Sequence, residues 1–529
     1  MMVDSVEVRG FFVVYERALG LFKQKAYDEA WQLLESYYQQ TGAKSLVSEL
    51  LKSHILWEQK KYVSTIVQLK ALLREYATSE DKKRLAGAFS ILGGTYARLG
   101  QSEKAVESYM KSAQLEPEIP QKLVEISNAL FVANAIENLS SDRLQEVYRL
   151  YRYYLKKMKI EAYPLPQWQH EKIRIGYLSA DLMDHAVGQF VRPFFFDFDR
   201  RFFKVYVFQL NKKSDFVTED LQSAPVYWRN IAGKNFDEIA SDIRRDEIDI
   251  LVELGGHTGN NALPVLAYRA AKIQISGIGY FNSTGISECD GFLSDIYCAP
   301  EEYSPYFTEK LLRLPHTHFC YCPYKKFPQV VPPPCLRNGY VTFGSFNNFV
   351  KVNDGMLSLW REILAQVPSS RLMLKHQLLS TDEGRDYTIR RLKSLKMPLE
   401  RIELRSYSVD YLQEYGEIDI ALDTSPYPGG LTTCEALYMG VPLVSLCGNR
   451  HGARFGESFL RNLGMGELSA DCGGKYVAIA VELASDYEFL SILRSRLRQM
   501  MQESPLMDRH AYMRDVEELY KNLQEDVVQ

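Results

Sequence analysis

The sequence predicts an all-α repeat region followed by two parallel-sheet α/β domains that face each other across a cleft. Three observations carry that expectation. Residues 11 to about 158 are helical in pattern throughout, with no strand-like stretch. From Lys172 onward, short apolar runs alternate with amphipathic stretches, and the series occurs twice. A proline-bearing linker, Phe327 to Arg337, separates the two series. Alternating strands and helices build parallel sheets covered on both faces, and two such domains in tandem enclose a deep groove.

The expected division is 1–120 helical repeats, 121–168 a helical linker region, 169–330 and 338–505 the two α/β domains, and 506–529 a closing helix. A length of 529 residues allows roughly three or four domains. The 46% hydrophobic and 25% charged residues are those of an ordinary globular protein. With 63 basic and 67 acidic residues there is no electrostatic footprint for nucleic acid. No apolar run approaches the ~18–20 residues that span a bilayer. The opening MMVDSVEVRG lacks the basic-then-apolar layout of a signal peptide, so a cytoplasmic location is expected.

Within the helical region a repeat recurs near the tetratricopeptide period of about 34 residues. Its clearest copy runs from Ala86 to about Glu118, with Phe89, Leu92, Gly93, Tyr96, Ala105, Tyr109 and Pro117 at the large, small and helix-stopping positions. Two weaker copies place Tyr27 and Ala30, then Tyr62 and Thr65, at the start of a second helix. Stacked units of this kind bury faces that one unit cannot, and offer a concave surface to a protein partner. The tyrosines at 148, 151, 153 and 154 read as core or inter-domain packing. Pro164 and Pro166 mark the boundary.

In the first α/β series, Lys172–Ser179, Lys204–Leu210, Ile248–Leu254, Ile273–Tyr280 and Gly291–Asp295 read as buried strands, with a helix at Asn235–Arg245. In the second, Val341–Phe346, Arg371–Lys375, Arg401–Ser406, Asp419–Thr424 and Pro442–Leu446 do so. All eight cysteines follow residue 288 and none has paired metal-ligand spacing; Cys320 and Cys322 are expected as reduced thiols on a strand. The stretch Arg509 to Leu523 reads as a helix packing back across the two domains.

The stretch from Asp419 to Gly448 organises the chain. A strand runs into the loop Pro426, Pro428, Gly429, Gly430, and Thr432-Thr433 then open a helix. A glycine loop delivering hydroxyls and free N–H groups to a helix N-terminus suits a diphosphate. Thr432 and Glu435 also fit a capping box, which binds nothing, and spacing alone favours that reading. Two histidine loops follow strand ends in the first series: Ser179 to His185, and GGHTGNN at Gly255–Asn261. Ligands of open α/β sheets sit at such edges. Lys351 leaves a strand end in the second series, where an ammonium can meet charge on a departing diphosphate.

The block TTCEALYMGVPLVSL (Thr432–Leu446), together with FGSFNNFVK (Phe343–Lys351) and the histidine loops, resembles the O-linked N-acetylglucosamine transferase and Spindly-like family. These are inverting GT-B glycosyltransferases with tetratricopeptide repeats, and the resemblance, to a bacterial-type member, covers about residues 120 to 520 plus the repeats. It turns the reading of the glycine loop from capping toward diphosphate binding. It implies an α/β GT-B core of two Rossmann-like domains. It also implies transfer of N-acetylglucosamine from UDP-GlcNAc to Ser or Thr of a protein acceptor, with inversion. His185 and Lys351 become the expected catalytic residues. The expected donor-binding residues are His257, Thr258, Asn348, Lys351, Ser406, Tyr411, Gly429, Gly430, Leu431, Thr432, Thr433, Glu435 and His451, the last with Arg454 nearby. Lys351, Thr432 and Thr433 would stabilise the leaving group and Glu435 would bind the ribose. No cofactor and no metal are expected. The expected partners are an acceptor protein held by the repeats and a UDP- or GDP-sugar, with a homo-oligomer left open.

Three positions depart from the animal-type pattern: Leu431 and Tyr411 stand where that branch has histidines, and Phe281 replaces a proline. FGSFNNFVK and LYMGVP also resemble the Spindly branch, whose members use GDP-fucose, so protein O-fucosyl transfer is the alternative. An inactive repeat scaffold is a remoter one.

Overall fold

The computed structural model describes residues 3–528. Met1, Met2 and Gln529, the outer ends of the expected repeat and closing segments, lie outside the described residues.

Eight helices open the chain: α1 (Val3–Lys23), α2 (Tyr27–Thr41), α3 (Leu46–Glu58), α4 (Tyr62–Glu75), α5 (Lys82–Arg98), α6 (Ser102–Leu115), α7 (Ile119–Ala133) and α8 (Ser141–Lys157). They pack as successive antiparallel pairs. Tyr27 and Tyr62 open α2 and α4 as the repeat spacing predicts. Ala30, Thr65 and Ala105, one turn into the second helix of their pairs, are completely buried. In the α5/α6 pair a Cβ on Gly93 would come 2.9 Å from the Tyr109 ring, so the absence of a side chain is what lets these helices close.

The first α/β domain is a seven-stranded parallel sheet built from β1 (Ile173–Ser179), β2 (Phe203–Gln209), β3 (Tyr227–Asn230), β4 (Ile250–Glu253), β5 (Ile273–Gly277), β6 (Gly291–Asp295) and β7 (Lys310–Leu314). Their order is 3-2-1-4-5-6-7. The second is a six-stranded parallel sheet of β8 (Thr342–Ser345), β9 (Arg371–Lys375), β10 (Ile402–Arg405), β11 (Ile420–Leu422), β12 (Leu443–Leu446) and β13 (Ser469–Ala470), in the order 10-9-8-11-12-13. In each sheet the order reverses beside the first strand, between β1 and β4 and between β8 and β11. Crevices outside the carboxyl ends at such switch points are where open α/β sheets bind ligands.

All ten predicted strands are present, and three more were not predicted: β3, β7 and β13. All three are edge strands or short. Cys320 and Cys322 are not on a strand. They lie in an extended segment whose backbone bonds cross to other parts of the fold, Tyr321 N–H to Leu506 O at 2.7 Å and Cys322 N–H to Gln189 O at 2.8 Å. Both are free and buried.

The linker, the closing helix and the repeat region hold the two lobes in place. Arg494, buried on the second lobe, donates to the carbonyls of Val331, Ile418 and Tyr415 and fixes the proline linker. The helix Arg509–Val528 returns to the first lobe, where the Tyr512 hydroxyl donates to His318 O at 2.9 Å and Glu517 accepts from Asp199 N–H at 2.6 Å. The repeat region bears on the second lobe too: the Glu383 carboxylate accepts the Val63 and Ser64 N–H groups, each at 3.0 Å, at the start of α4. The Tyr387 hydroxyl donates to Leu99 O at 3.0 Å. Tyr148 and Tyr151 are buried against the first lobe, as the tyrosine run predicts, whereas Tyr153 is 52% exposed and is not core. Among the described residues no helix is long and apolar enough to cross a membrane.

Candidate active site

Between the lobes lies a cleft of about 650 Å³. Its walls come from the loops after β1, β4, β8 and β11, the four strand ends at the two switch points, and from α6 and α7 of the repeat region.

On the second lobe, β8 runs into Asn347 and Asn348, and a single turn, Phe349–Lys351, brings Lys351 to the cleft. Asn348 caps that turn, accepting from Val350 N–H at 3.2 Å. The Lys351 ammonium donates to Pro428 O at 2.9 Å and stands 4.1 Å from the centroid of the Tyr427 ring. Burial pulls its pKa down to about 8, with the Asp423 carboxylate drawing it back up. Asp423, the residue after β11, is fully buried and organises the glycine loop. Its Oδ1 accepts from Thr424 N–H at 2.9 Å and Gly429 N–H at 2.7 Å, and its Oδ2 from the Ser445 hydroxyl at 3.1 Å. Burial raises its pKa to about 6, against the pull of those N–H groups and Lys351.

The helix after the loop is Leu431–Tyr438, and its N-cap is Gly430. This overturns the capping-box reading: Thr432 lies inside the helix and donates instead to Asn347 Oδ1 at 2.8 Å. Thr433 Oγ1 is buried without a hydrogen-bond partner. Gly429 is packed so closely that a Cβ would come 2.3 Å from Thr433 Oγ1, whereas nothing lies within 4 Å of a Cβ on Gly430. The backbone at Gly430 therefore faces open space at a helix N-terminus, with Lys351, Gly430, Leu431 and Thr432 all on the cleft lining. That is the local geometry of an anion site.

Glu435 is buried one turn further along. It accepts a hydrogen bond from the Tyr411 hydroxyl, and burial raises its pKa to about 7 against that bond. Gly429, Thr433, Glu435, Tyr411 and Ser406, all expected at the donor, stand off the cleft lining. Ser406 serves through its carbonyl, which accepts from Lys375 Nζ at 2.6 Å.

On the first lobe, His185 and Asp181 line the cleft. His185 is the more open, with 43% of its side chain exposed. Thr258, in the loop after β4, lines it as well, and its hydroxyl turns back to Gly255 O at 2.8 Å.

The other two histidines are differently placed. His257 touches the cleft, but Nδ1 meets the Ser127 hydroxyl of α7 and Nε2 meets Thr284 O, both at 2.8 Å. Burial among Tyr148, Tyr151 and Tyr280 lowers its pKa to about 4. His451 is off the cleft lining. Its Nε2 meets the Ser294 hydroxyl at 2.7 Å and its Nδ1 meets Phe281 O at 2.9 Å, joining the lobes, and burial lowers its pKa to about 3. Both rings are engaged at both nitrogens. Arg454 likewise spends its guanidinium on Tyr297 O and Gly448 O.

Sequence reasoning missed Asn347, Asp423, Tyr427 and the repeat-region wall, Tyr109, Asn128, Phe131 and Val132. An acidic residue directly after a strand and before the glycine loop was a readable signal for Asp423. The α7 residues carried none. Among the described residues one group has metal-ligand proximity, Asp295, Cys298 and His318, with ligand atoms within 4.8 Å of one another. The Asp295 carboxylate is already taken by the N–H groups of Tyr297, Cys298 and His318, the His318 ring and the Ser458 hydroxyl. Burial pushes the Cys298 thiol well up, away from the thiolate a metal needs.

The comparisons with known proteins agree with this architecture. The model of glycosyl transferase family 41 matches residues 150–331 and 334–516. A rice protein (Oryza sativa subsp. japonica) named "Probable UDP-N-acetylglucosamine--peptide N-acetylglucosaminyltransferase SPINDLY" is 36% identical over 431 residues, 79% of this chain and 46% of that protein. A Solanum lycopersicum protein of the same name is 37% identical over 75% of this chain and 44% of its own length. This chain thus spans about half the length of the curated relatives it matches. Among solved structures, a mutant O-GlcNAc transferase of Thermobaculum terrenum superposes with a TM-score of 0.85 at 27% identity, covering 98% of both chains. With the two-lobed parallel-sheet core and helical front, these matches place the fold as GT-B preceded by tetratricopeptide-like helices, and the chain belongs to glycosyl transferase family 41.

Proposed function

We propose that this chain transfers a sugar from a nucleoside diphosphate to a Ser or Thr hydroxyl of a protein acceptor, with inversion at the anomeric carbon. The observation that carries the reading is the convergence of Lys351, the open backbone at Gly430 and the Thr432 hydroxyl on the cleft lining at one switch point. The acceptor oxygen attacks C1 from the face opposite the diphosphate, whose bond to C1 breaks as the new one forms. Charge then accumulates on the leaving group, where a half-buried ammonium and a helix N-terminus already stand; donors fixed in advance act most strongly there. His185, across the cleft, takes the acceptor proton. Glu435 meets the ribose.

UDP-GlcNAc is the proposed donor, in line with the names of the relatives. The second reading, GDP-fucose, is favoured by Leu431 and Tyr411, which stand where the animal-type branch has histidines. Because α6 and α7 wall the cleft, an acceptor lying along the repeats would be led directly into it. The reaction is proposed to run without a cofactor or divalent metal, since the lysine and the helix terminus take the metal's role. The proposed setting is the cytoplasm.

Thermal melts with UDP and GDP separately choose the base: the cognate nucleotide at 100 times its Kd adds about 2.7 kcal/mol. Incubation with each sugar nucleotide and an acceptor protein, read by mass on Ser and Thr, tests transfer. Stabilisation by neither nucleotide sinks the reading. Loss of transfer in EDTA, restored by magnesium or manganese, removes the metal-free part alone.

A further inference from the structure

The reading above leaves one cleft-lining carboxylate without a task. Asp181 follows β1 and is only 9% exposed, yet its Oδ2 has no hydrogen-bond partner. Native folds seldom bury a carboxylate oxygen unpaired unless the group has work in another state of the molecule. Its Oδ1 lies 3.8 Å from Nδ1 of His185, four residues on.

That same Nδ1 accepts a long hydrogen bond, 3.4 Å, from Val187 N–H. In the tautomer this bond requires, the ring proton sits on Nε2, and the imidazole meets the cleft as a donor. It cannot then take a proton from an acceptor hydroxyl. The useful tautomer carries its proton on Nδ1 and needs an acceptor there. Asp181 Oδ1 is the carboxylate oxygen beside it, and an approach of about 1 Å brings it into hydrogen-bond range.

We propose that Asp181 is a positioning residue for His185: it accepts Nδ1–H, selects the tautomer with a free Nε2, and steadies the imidazolium formed during transfer. This rests on the glycosyl-transfer reading. In the step, the acceptor Oγ–C1 bond forms while the C1–oxygen bond to the diphosphate breaks. The electron pair departs with the nucleoside diphosphate, and the hydroxyl proton ends on His185 Nε2. The other titratable groups here are Lys351 across the cleft, Asp184 next to His185 with Lys325 at 3.6 Å and Asp215 accepting from its N–H at 2.7 Å, and Glu253, fully buried at the end of β4. Glu253 is held by the N–H groups of Gly255 and Gly256 and the Ser276 hydroxyl. Its negative field, like burial, favours a proton shared between Asp181 and His185 over a bare Asp181 carboxylate.

The test uses the full chain with His185→Ala, Asp181→Asn, Asp181→Glu and the Asp181→Asn/His185→Ala double variant, assayed for transfer across pH. Asp181→Asn should lower kcat by roughly 10²-fold or more, the scale of a general base. It should leave nucleotide Kd within about threefold and change the kcat–pH profile in the same way as His185→Ala. The double variant should be no slower than His185→Ala alone, and Asp181→Glu should recover part of the rate. Nitrogen NMR of the His185 ring with UDP or GDP bound should find the proton on Nδ1 in the parent and on Nε2 in Asp181→Asn. If that variant does not fold, the Asp181→Glu protein must show a displaced kcat–pH profile instead. Asp181→Asn within threefold of the parent while His185→Ala is inactive overturns the proposal alone, as do losses that multiply in the double variant. No transfer by the parent chain from either donor overturns the glycosyl-transfer reading, and the NMR tautomer still reports on Asp181.

Discussion

Gly100 lies against the carbonyl of Phe349: a Cβ built on it would come 2.8 Å from that oxygen and 3.2 Å from the carbonyl of Val352. Those two carbonyls flank Lys351, so the turn between α5 and α6 of the repeat region props the segment that carries the ammonium. The repeats are therefore part of the cleft's construction. A chain starting near Leu123 should lose nucleotide affinity as well as acceptor binding, because that cut removes Gly100, Tyr109 and the groups that meet Glu383.

Gly100→Ala should lower kcat by roughly 10-fold to 10²-fold, the penalty of misplacing a reacting group by up to 1 Å. Gly42→Ala is the matched control. Both glycines are left-handed, at φ +72° and +70°, but a Cβ on Gly42 meets nothing within 4 Å. Gly42→Ala should cost about 1 kcal/mol in the melt from backbone strain, Gly100→Ala should cost more because its methyl also meets the Phe349 carbonyl, and only Gly100→Ala should slow transfer. Equal kcat in the two variants would show that the prop is passive.

Gly429 and Gly430 are adjacent and should behave oppositely. Gly429→Ala drives a methyl into Thr433 Oγ1, so it should lower stability and nucleotide affinity together. Gly430→Ala adds a methyl in open space. It should leave the melting temperature near that of the parent while weakening UDP or GDP about tenfold, or about 1.4 kcal/mol. Unchanged affinity in Gly430→Ala, measured by calorimetry, means the diphosphate does not approach this backbone.

Most of the fold was legible because it is written locally. Tyr27, Tyr62 and the Gly93/Tyr109 match mark helix starts and close helix contacts by spacing alone. Most of the ten predicted strands centre on a buried apolar run, as parallel strands do, and the exception, Ile402–Arg405, is a half-exposed edge strand with charges in alternation. The missed strands give weaker signals: Tyr227–Asn230 is partly exposed, Lys310–Leu314 is an edge strand with no α-helix directly before it, and Ser469–Ala470 is two residues long. At the site, Lys351 and the glycine loop could be read from strand–loop–helix order. His257 and His451 could not, because their partners Ser127 and Ser294 lie 130 and 157 residues away in sequence. A loop histidine looks the same in sequence whether its nitrogens are free or spent. The start of the helix at Leu431 was decided by tertiary context too, since Asn347 claims the hydroxyl that a capping box needs.

Glu435 should leave a signature in stability against pH. Burial raises its folded pKa to about 7, above the ordinary 4.5. The folded state therefore holds a proton that the unfolded state releases between those values. The group's stabilising contribution is complete below pH 4.5 and is lost as pH rises through 7. Denaturant titrations from pH 5 to 8 should show part of the fall in stability vanish in Glu435→Gln, which cannot titrate. A parallel pair of curves would mean that Glu435 is ionised throughout, held by its neighbours.

Lys351 gives the sharpest prediction. Burial sets its pKa at about 8, against 10.5 for an ordinary lysine. The free enzyme's titration appears in kcat/KM, so kcat/KM should fall about tenfold per unit above pH 8. In kcat the limb should lie higher, because a bound diphosphate favours the ammonium. Stability carries the opposite sign: between pH 8 and 10.5 the folded state binds fewer protons, so this group's contribution rises with pH. Lys351→Ala should lower kcat at pH 7 by roughly 10²–10³, with a smaller loss of nucleotide affinity, since Gly430 and the helix N-terminus remain. Lys351→Arg keeps its charge to far higher pH, so it should be slower than the parent but should lose the basic limb. A basic limb that persists unchanged in Lys351→Ala would assign the titration to another group. A kcat within about twofold of the parent would remove Lys351 from the reaction and leave the anion site without its principal charge.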